Sequence, residues 1–131
     1  MRTFVANAAD LLPHSRWDVG FTAMLKQYGD QAKELSHRFS PDEVKELLAP
    51  IALQDLAVLL PLGRNGRDRL TRPMVDIMIR DYPHLALAAV IDDIDSCKRR
   101  NHEAVATAFR YRDVLENLTR VVAAPSAVPA A

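Results

Sequence analysis

Residues 40–48 have the sequence SPDEVKELL, which combines several signals for the start of a helix. Ser40 is a favoured N-cap residue, Pro41 suits the first helical position, and Glu43 has the spacing from Ser40 that completes a capping box. Acidic residues in this first turn also complement the helix dipole. Steps of three and four positions separate the apolar residues that follow, which are Val44, Leu47 and Leu48. This stretch therefore predicts an amphipathic helix.

The same helical spacing continues on both sides of this stretch. Upstream, apolar residues recur at steps of three and four from Trp17 to Phe39, and Gly29 in the middle is predicted to kink or split that helix. Downstream, prolines and glycines divide the chain into further helical segments. These begin after Pro50, at Thr71 and after Asp81, and a last long helix is predicted over residues 102–122. No segment alternates with the period of a strand.

These patterns predict an all-α fold, a compact bundle of about six helices that ends in a long αα-hairpin. One helical domain is expected over residues 1–122, and the uncharged Ala/Pro segment 123–131 is expected to be a disordered tail. Residues 3–12 are the weakest candidate for a helix. Apolar residues that recur on one face of each predicted helix are expected to form the core. They are Phe21, Leu25, Leu35, Leu47, Leu56, Leu60, Met74, Met78, Ile91, Ile94, Phe109, Leu115 and Leu118.

Composition narrows the class of protein without identifying a partner. The 131 residues carry 17 basic and 17 acidic side chains, and 49% of the residues are hydrophobic. Two classes of protein are therefore excluded, namely a strongly basic protein that coats nucleic acid and an acidic disordered chain. The single cysteine, Cys97, cannot form an intrachain disulfide, and no apolar run reaches the length of a membrane span. We expect a cytoplasmic protein with no membrane partner.

The sequence offers no recognisable catalytic set. It lacks a nucleotide-binding glycine motif, a serine nucleophile elbow and a zinc-type spacing of Cys and His. Asp92, Asp93 and Asp95 lie close together, but carboxylates at this spacing on a helix are mostly a solvated face. We therefore predict no catalytic residues, no metal ligands and no cofactor, and expect that the chain is not an enzyme.

One charged segment stands out as a candidate binding site. Between Gly63 and the predicted helix start at Thr71 lies an arginine-rich loop, and a fourth arginine opens the helix. Flexible glycines, guanidinium groups and a helix N-terminus together favour an anion, which could be a phosphate or the carboxylates of a partner. The alternative is a solvated loop whose arginines pair with nearby acids. The candidate site residues are Arg64, Arg67, Arg69 and Arg72.

Two functions follow as hypotheses from these observations. The first is a small helical protein-interaction module, an adaptor, regulatory or assembly subunit, whose partner is another protein. The alternative is a nucleic-acid-binding module that uses the arginine-rich loop 63–72 and the helix after it. The few aromatic residues near that loop and the zero net charge weaken the alternative. A homo-oligomer is left open.

Overall fold

A computed structural model of the chain describes residues 15–60, 72–96 and 102–124, and the side chains of residues 21–60, 73–92 and 102–124. These residues form helices and their connections, and no strand occurs among them. The predicted all-α fold is therefore confirmed. The helices are α1 (Ser15–Ser36), α2 (Pro41–Leu48), α3 (Leu53–Leu59), α4 (Arg72–Asp81), α5 (Pro83–Ser96), α6 (His102–Arg110) and α7 (Arg112–Ala123).

Helix α2 begins as the sequence predicts. The Glu43 amide donates to the Ser40 hydroxyl at 3.1 Å, and the Ser40 amide donates to the Glu43 carboxylate at 2.7 Å. Ser40 itself has extended backbone angles, and Pro41 occupies the first turn. The capping box thus satisfies two amides that the first turn leaves without helical partners.

Helix α5 lies at the centre of the bundle and packs against α1, α2, α4 and α7. Every residue from Leu85 to Ile91 is buried. A stretch of helix that is buried on all sides has neighbours on all sides, so this part of α5 is not amphipathic. The alanines at positions 86, 88 and 89 are fully buried in this stretch.

Helix α1 runs without interruption through Gly29, so the predicted split at this residue is wrong. Its buried face lies against α5 and contains Phe21, Met24, Tyr28 and Leu35. The ring of Phe21 also meets the edge of Tyr82, at the junction of α4 and α5, with ring centroids 5.0 Å apart.

The predicted last helix is two helices, α6 and α7, because the helix is interrupted at Tyr111. The expected pairing of the last long segments is realised between α5 and α7, whereas α6 packs mainly on α3. Ala123, which the sequence assigned to the tail, is the last residue of α7. Residues 3–12 and 125–131, and so most of that tail, lie outside the described residues.

The core agrees with most of the residues predicted for it. Two predicted core residues are wrong: Leu25 is 43% exposed and Phe109 is 71% exposed. Leu47 is half-buried and packs against the edge of the core, and the side chain of Ile94 lies outside the described ones. The other predicted residues are buried, namely Phe21, Leu35, Leu56, Leu60, Met74, Met78, Ile91, Leu115 and Leu118.

Candidate functional site

The predicted arginine site falls almost entirely outside the described residues. Arg64, Arg67 and Arg69 lie in the undescribed segment 61–71. Arg72 is the first residue of α4, and its side chain is not among those described. Anion binding by this loop therefore stays a prediction from the sequence.

An exposed apolar surface lies elsewhere, on α6 and α7. Phe109 is the most exposed large hydrophobic residue among the described side chains, and Val105, one helical turn earlier, is 39% exposed. Residues four positions apart lie on the same side of a helix, so the two side chains form one apolar ridge along α6.

An open groove of about 440 Å³ adjoins this ridge. Its walls are mainly apolar, and most of its length runs along α7. Ala108, the residue before Phe109, lines the groove whereas Phe109 does not, so the groove starts within one residue of the protruding ring, where α6 meets α7. The lining residues are Ala108, Arg112, Leu115, Glu116, Thr119, Arg120 and Ala123.

Charged side chains of both signs border the groove along α7. Arg112 pairs with Glu116 across one turn, with its Nε 3.7 Å from the carboxylate, and both side chains are more than half exposed. Arg120, one turn further, donates to the Asn117 side chain at 2.9 Å. The order of charge at four-residue spacing is therefore positive, negative, positive. These weak surface contacts leave the charges available to a partner.

A hydrogen-bond network at the break between α6 and α7 fixes the orientation of this surface. The Tyr111 hydroxyl donates to one oxygen of Asp55, on α3, at 2.6 Å, and Arg110 donates to the other oxygen at 3.2 Å. The amide of Ala52 donates to the Tyr111 hydroxyl at 3.4 Å, and Arg110 also donates to the buried Thr107 hydroxyl at 3.2 Å. The network joins α3 to the last turn of α6 and the first of α7.

The network has an electrostatic consequence for Tyr111. Its hydrogen bond to the Asp55 carboxylate raises the pKa of the phenol above its usual value, while the Ala52 amide opposes this effect. Ionising the phenol would remove the donated proton and set two negative charges beside each other. The protonated phenol is thus the form that makes the hydrogen bond between Tyr111 and Asp55.

Arg38 holds the opposite end of α7. Its guanidinium donates to the carbonyls of Val122 and Ala124 at 2.7 Å each, and to that of Val121 at 3.3 Å. The last carbonyls of a helix have no helical partners and carry its negative dipole end, so a fixed cation satisfies them in two ways. Helix α7 is therefore held at both ends, while its groove face remains open.

The sequence did not predict the exposed ridge, because the buried face of this segment consists largely of small residues. On the single helix that the sequence predicts over residues 102–122, at about 100° per residue, one side carries Ala104, Thr107, Ala108 and Leu115. Phe109 lies more than a third of a turn from the middle of that side. Ala104 and Thr107 are buried. A helical projection that groups positions 104, 107 and 108 with Leu115 and Leu118 places Phe109 outside the buried side.

The described residues offer two further observations about classes of site. No group of three or more His, Cys, Asp or Glu side chains suited to a metal ion occurs among them. None of their helices is both long and apolar enough to cross a bilayer.

Comparison of the chain with protein-family models, with curated proteins and with solved structures finds no match.

Proposed function

We propose that this chain is a helical protein-interaction module that binds another polypeptide through the ridge and groove of α6 and α7. The observation that carries the proposal is the exposure of Phe109, at 71%, beside a mainly apolar groove. Leaving an aromatic ring in water forgoes the free energy that its burial would release, and such rings beside grooves are typical anchors of interfaces.

The contacts at the two ends of α7 support this proposal. The Asp55 network and the Arg38 contacts hold α7 at its two ends, so the groove is preorganised. A partner that binds a preformed groove loses less conformational entropy on association. An apolar centre with a charged border is also the usual arrangement of a protein interface.

The test is site-specific photocrosslinking in cells that express the full chain. Benzoylphenylalanine replaces Phe109 in one variant and Leu25, an exposed hydrophobic residue of α1, in a matched control. We expect a discrete protein adduct from position 109 and none from position 25. Absence of a protein adduct at position 109, or an equal pattern from both positions, contradicts the proposal.

The nucleic-acid alternative has its own test, because its residues differ from those that line the groove. The combined change of Arg64, Arg67 and Arg69 to Ser is expected to spare folding, since surface substitutions usually cost no more than about 0.5 kcal/mol each. If the loop binds nucleic acid, this variant has a lower affinity and a flatter salt dependence in a titration at two salt concentrations. Equal affinity and equal slope would reject that role of the loop.

A further inference from the structure

We infer that the partner of the ridge and groove is a second copy of this chain, and that two copies pair through α7 in an antiparallel, two-fold arrangement. This inference rests on the proposed function and identifies its partner. A two-fold interface uses the same patch on both copies, so the patch must be complementary to itself. The α6–α7 surface meets this requirement in shape and in charge.

The shape allows self-pairing because a projection and a hollow both belong to the α6–α7 segment. Phe109 protrudes from the end of α6, and the groove that starts at Ala108 can receive a ring of this kind. A two-fold axis between them brings the projection of each copy to the hollow of the other. Both rings and both grooves are then buried in one interface, which a single partner peptide would not achieve.

The charges give the pairing a register. An axis midway between positions 112 and 116 sets Arg112 of each copy opposite Glu116 of the other, so that two symmetric ion pairs form. The same register places Thr119, in the groove of one copy, on the side of the two-fold axis where α6 of the other copy ends. The net charge of zero means that two copies do not repel each other at long range.

The first experiment measures the mass of the purified full chain by sedimentation equilibrium, from about 1 μM to about 500 μM, a range that covers weak and moderate dimers. We expect a monomer–dimer equilibrium. Phe109→Ser is expected to raise the dimer dissociation constant at least about 30-fold, as for a central aromatic anchor. The control Leu25→Ser, at a large hydrophobic side chain that is 43% exposed on α1, is expected to leave it unchanged.

The second experiment tests the register by charge reversal. Arg112→Glu and Glu116→Arg each place like charges opposite one another in a homodimer, and each is expected to weaken it about 3- to 10-fold. A mixture of the two variants restores opposite charges at both contacts, so it is expected to form heterodimers with the affinity of the unmodified chain. The double variant R112E/E116R is expected to recover as well.

The outcomes separate this inference from the proposed function. A chain that stays monomeric at every concentration, or a dimer that Phe109→Ser leaves intact, overturns pairing through this surface. Failure of the mixed variants to associate more tightly than either alone overturns the antiparallel register. The proposed function survives these results if the crosslink from position 109 joins a different polypeptide, whereas an adduct of twice the chain mass supports the second copy.

Discussion

The contact between Arg38 and the end of α7 predicts a large effect of a single substitution. Arg38→Met keeps most of the apolar stem but removes three hydrogen bonds to backbone carbonyls 83 to 86 residues away along the chain. It also removes the guanidinium that lies 5.0 Å from the centre of the Phe39 ring. The short loop between α1 and α2 then no longer holds the C-terminus of α7.

The size of the effect follows from the exposure of these bonds. A hydrogen bond from a charged donor contributes about 1.5–3 kcal/mol when buried. The bond to Ala124 is exposed and those to Val121 and Val122 are only partly buried, so water can replace part of what is lost. We expect Arg38→Met to lower the free energy of unfolding by about 2 kcal/mol, which corresponds to a fall in Tm of about 5–12 °C for a chain of this size.

The assay is urea unfolding followed by circular dichroism, at one low protein concentration so that association does not contribute. Arg38→Lys is expected to recover about half of the loss, because an ammonium group lacks the planar fork that spans several carbonyls. Hydrogen exchange is expected to quicken in the last turn of α7 in Arg38→Met. The matched control is Arg80→Met, since Arg80 is half exposed and pairs only with the adjacent Asp81 among the described contacts.

Two results would refute this reasoning. Equal urea midpoints for Arg38→Met and Arg80→Met would show that the long-range hydrogen bonds contribute nothing to stability. Full recovery by Arg38→Lys would show that charge near the helix end is sufficient and that the geometry of the guanidinium is irrelevant.

Three further predictions concern other parts of the fold. Gly29→Ala is expected to raise the free energy of unfolding by about 0.5–1 kcal/mol, because α1 is continuous there and an added Cβ has nothing within 4 Å; a lower urea midpoint would contradict this. Leu118→Ala removes a fully buried side chain and is expected to lower the free energy of unfolding by about 2–5 kcal/mol. The control is Val105→Ala on the exposed ridge, and equal urea midpoints for the two variants would place position 118 outside the core. Tyr111 has a raised pKa in the folded chain, so the folded state binds its proton more tightly than the unfolded state does. The stability that this hydrogen bond contributes is therefore complete below the pKa of the phenol in the unfolded chain, about 10, and declines at higher pH. Tyr111→Phe is expected to be less stable than the unmodified chain at pH 7, and the difference is expected to shrink at higher pH. A pH-independent difference would show that the bond to Asp55 is not the cause.

Local signals in the sequence determined the helices and several of their ends. The capping box of Ser40 and Glu43 involves residues within one turn, so its geometry depends little on the rest of the chain. Proline at position 83 likewise begins α5 wherever that helix packs. Periodicity also predicted most of the core, because a regular stripe on a helix has only one face that can be buried.

The surface proposed to bind depended on contacts between distant parts of the chain. The break at Tyr111 coincides with a hydrogen bond to Asp55, 56 residues earlier, and no signal within one helical turn announces that pairing. The buried residues of α6 are Ala104 and Thr107, so the larger Phe109, on another side of this helix, is exposed although it ranks higher in hydrophobicity. Sequence periodicity ranks faces by the side chains they carry, whereas packing in the folded chain selects the face whose shape fits its neighbour, here the small residues of α6 against α3.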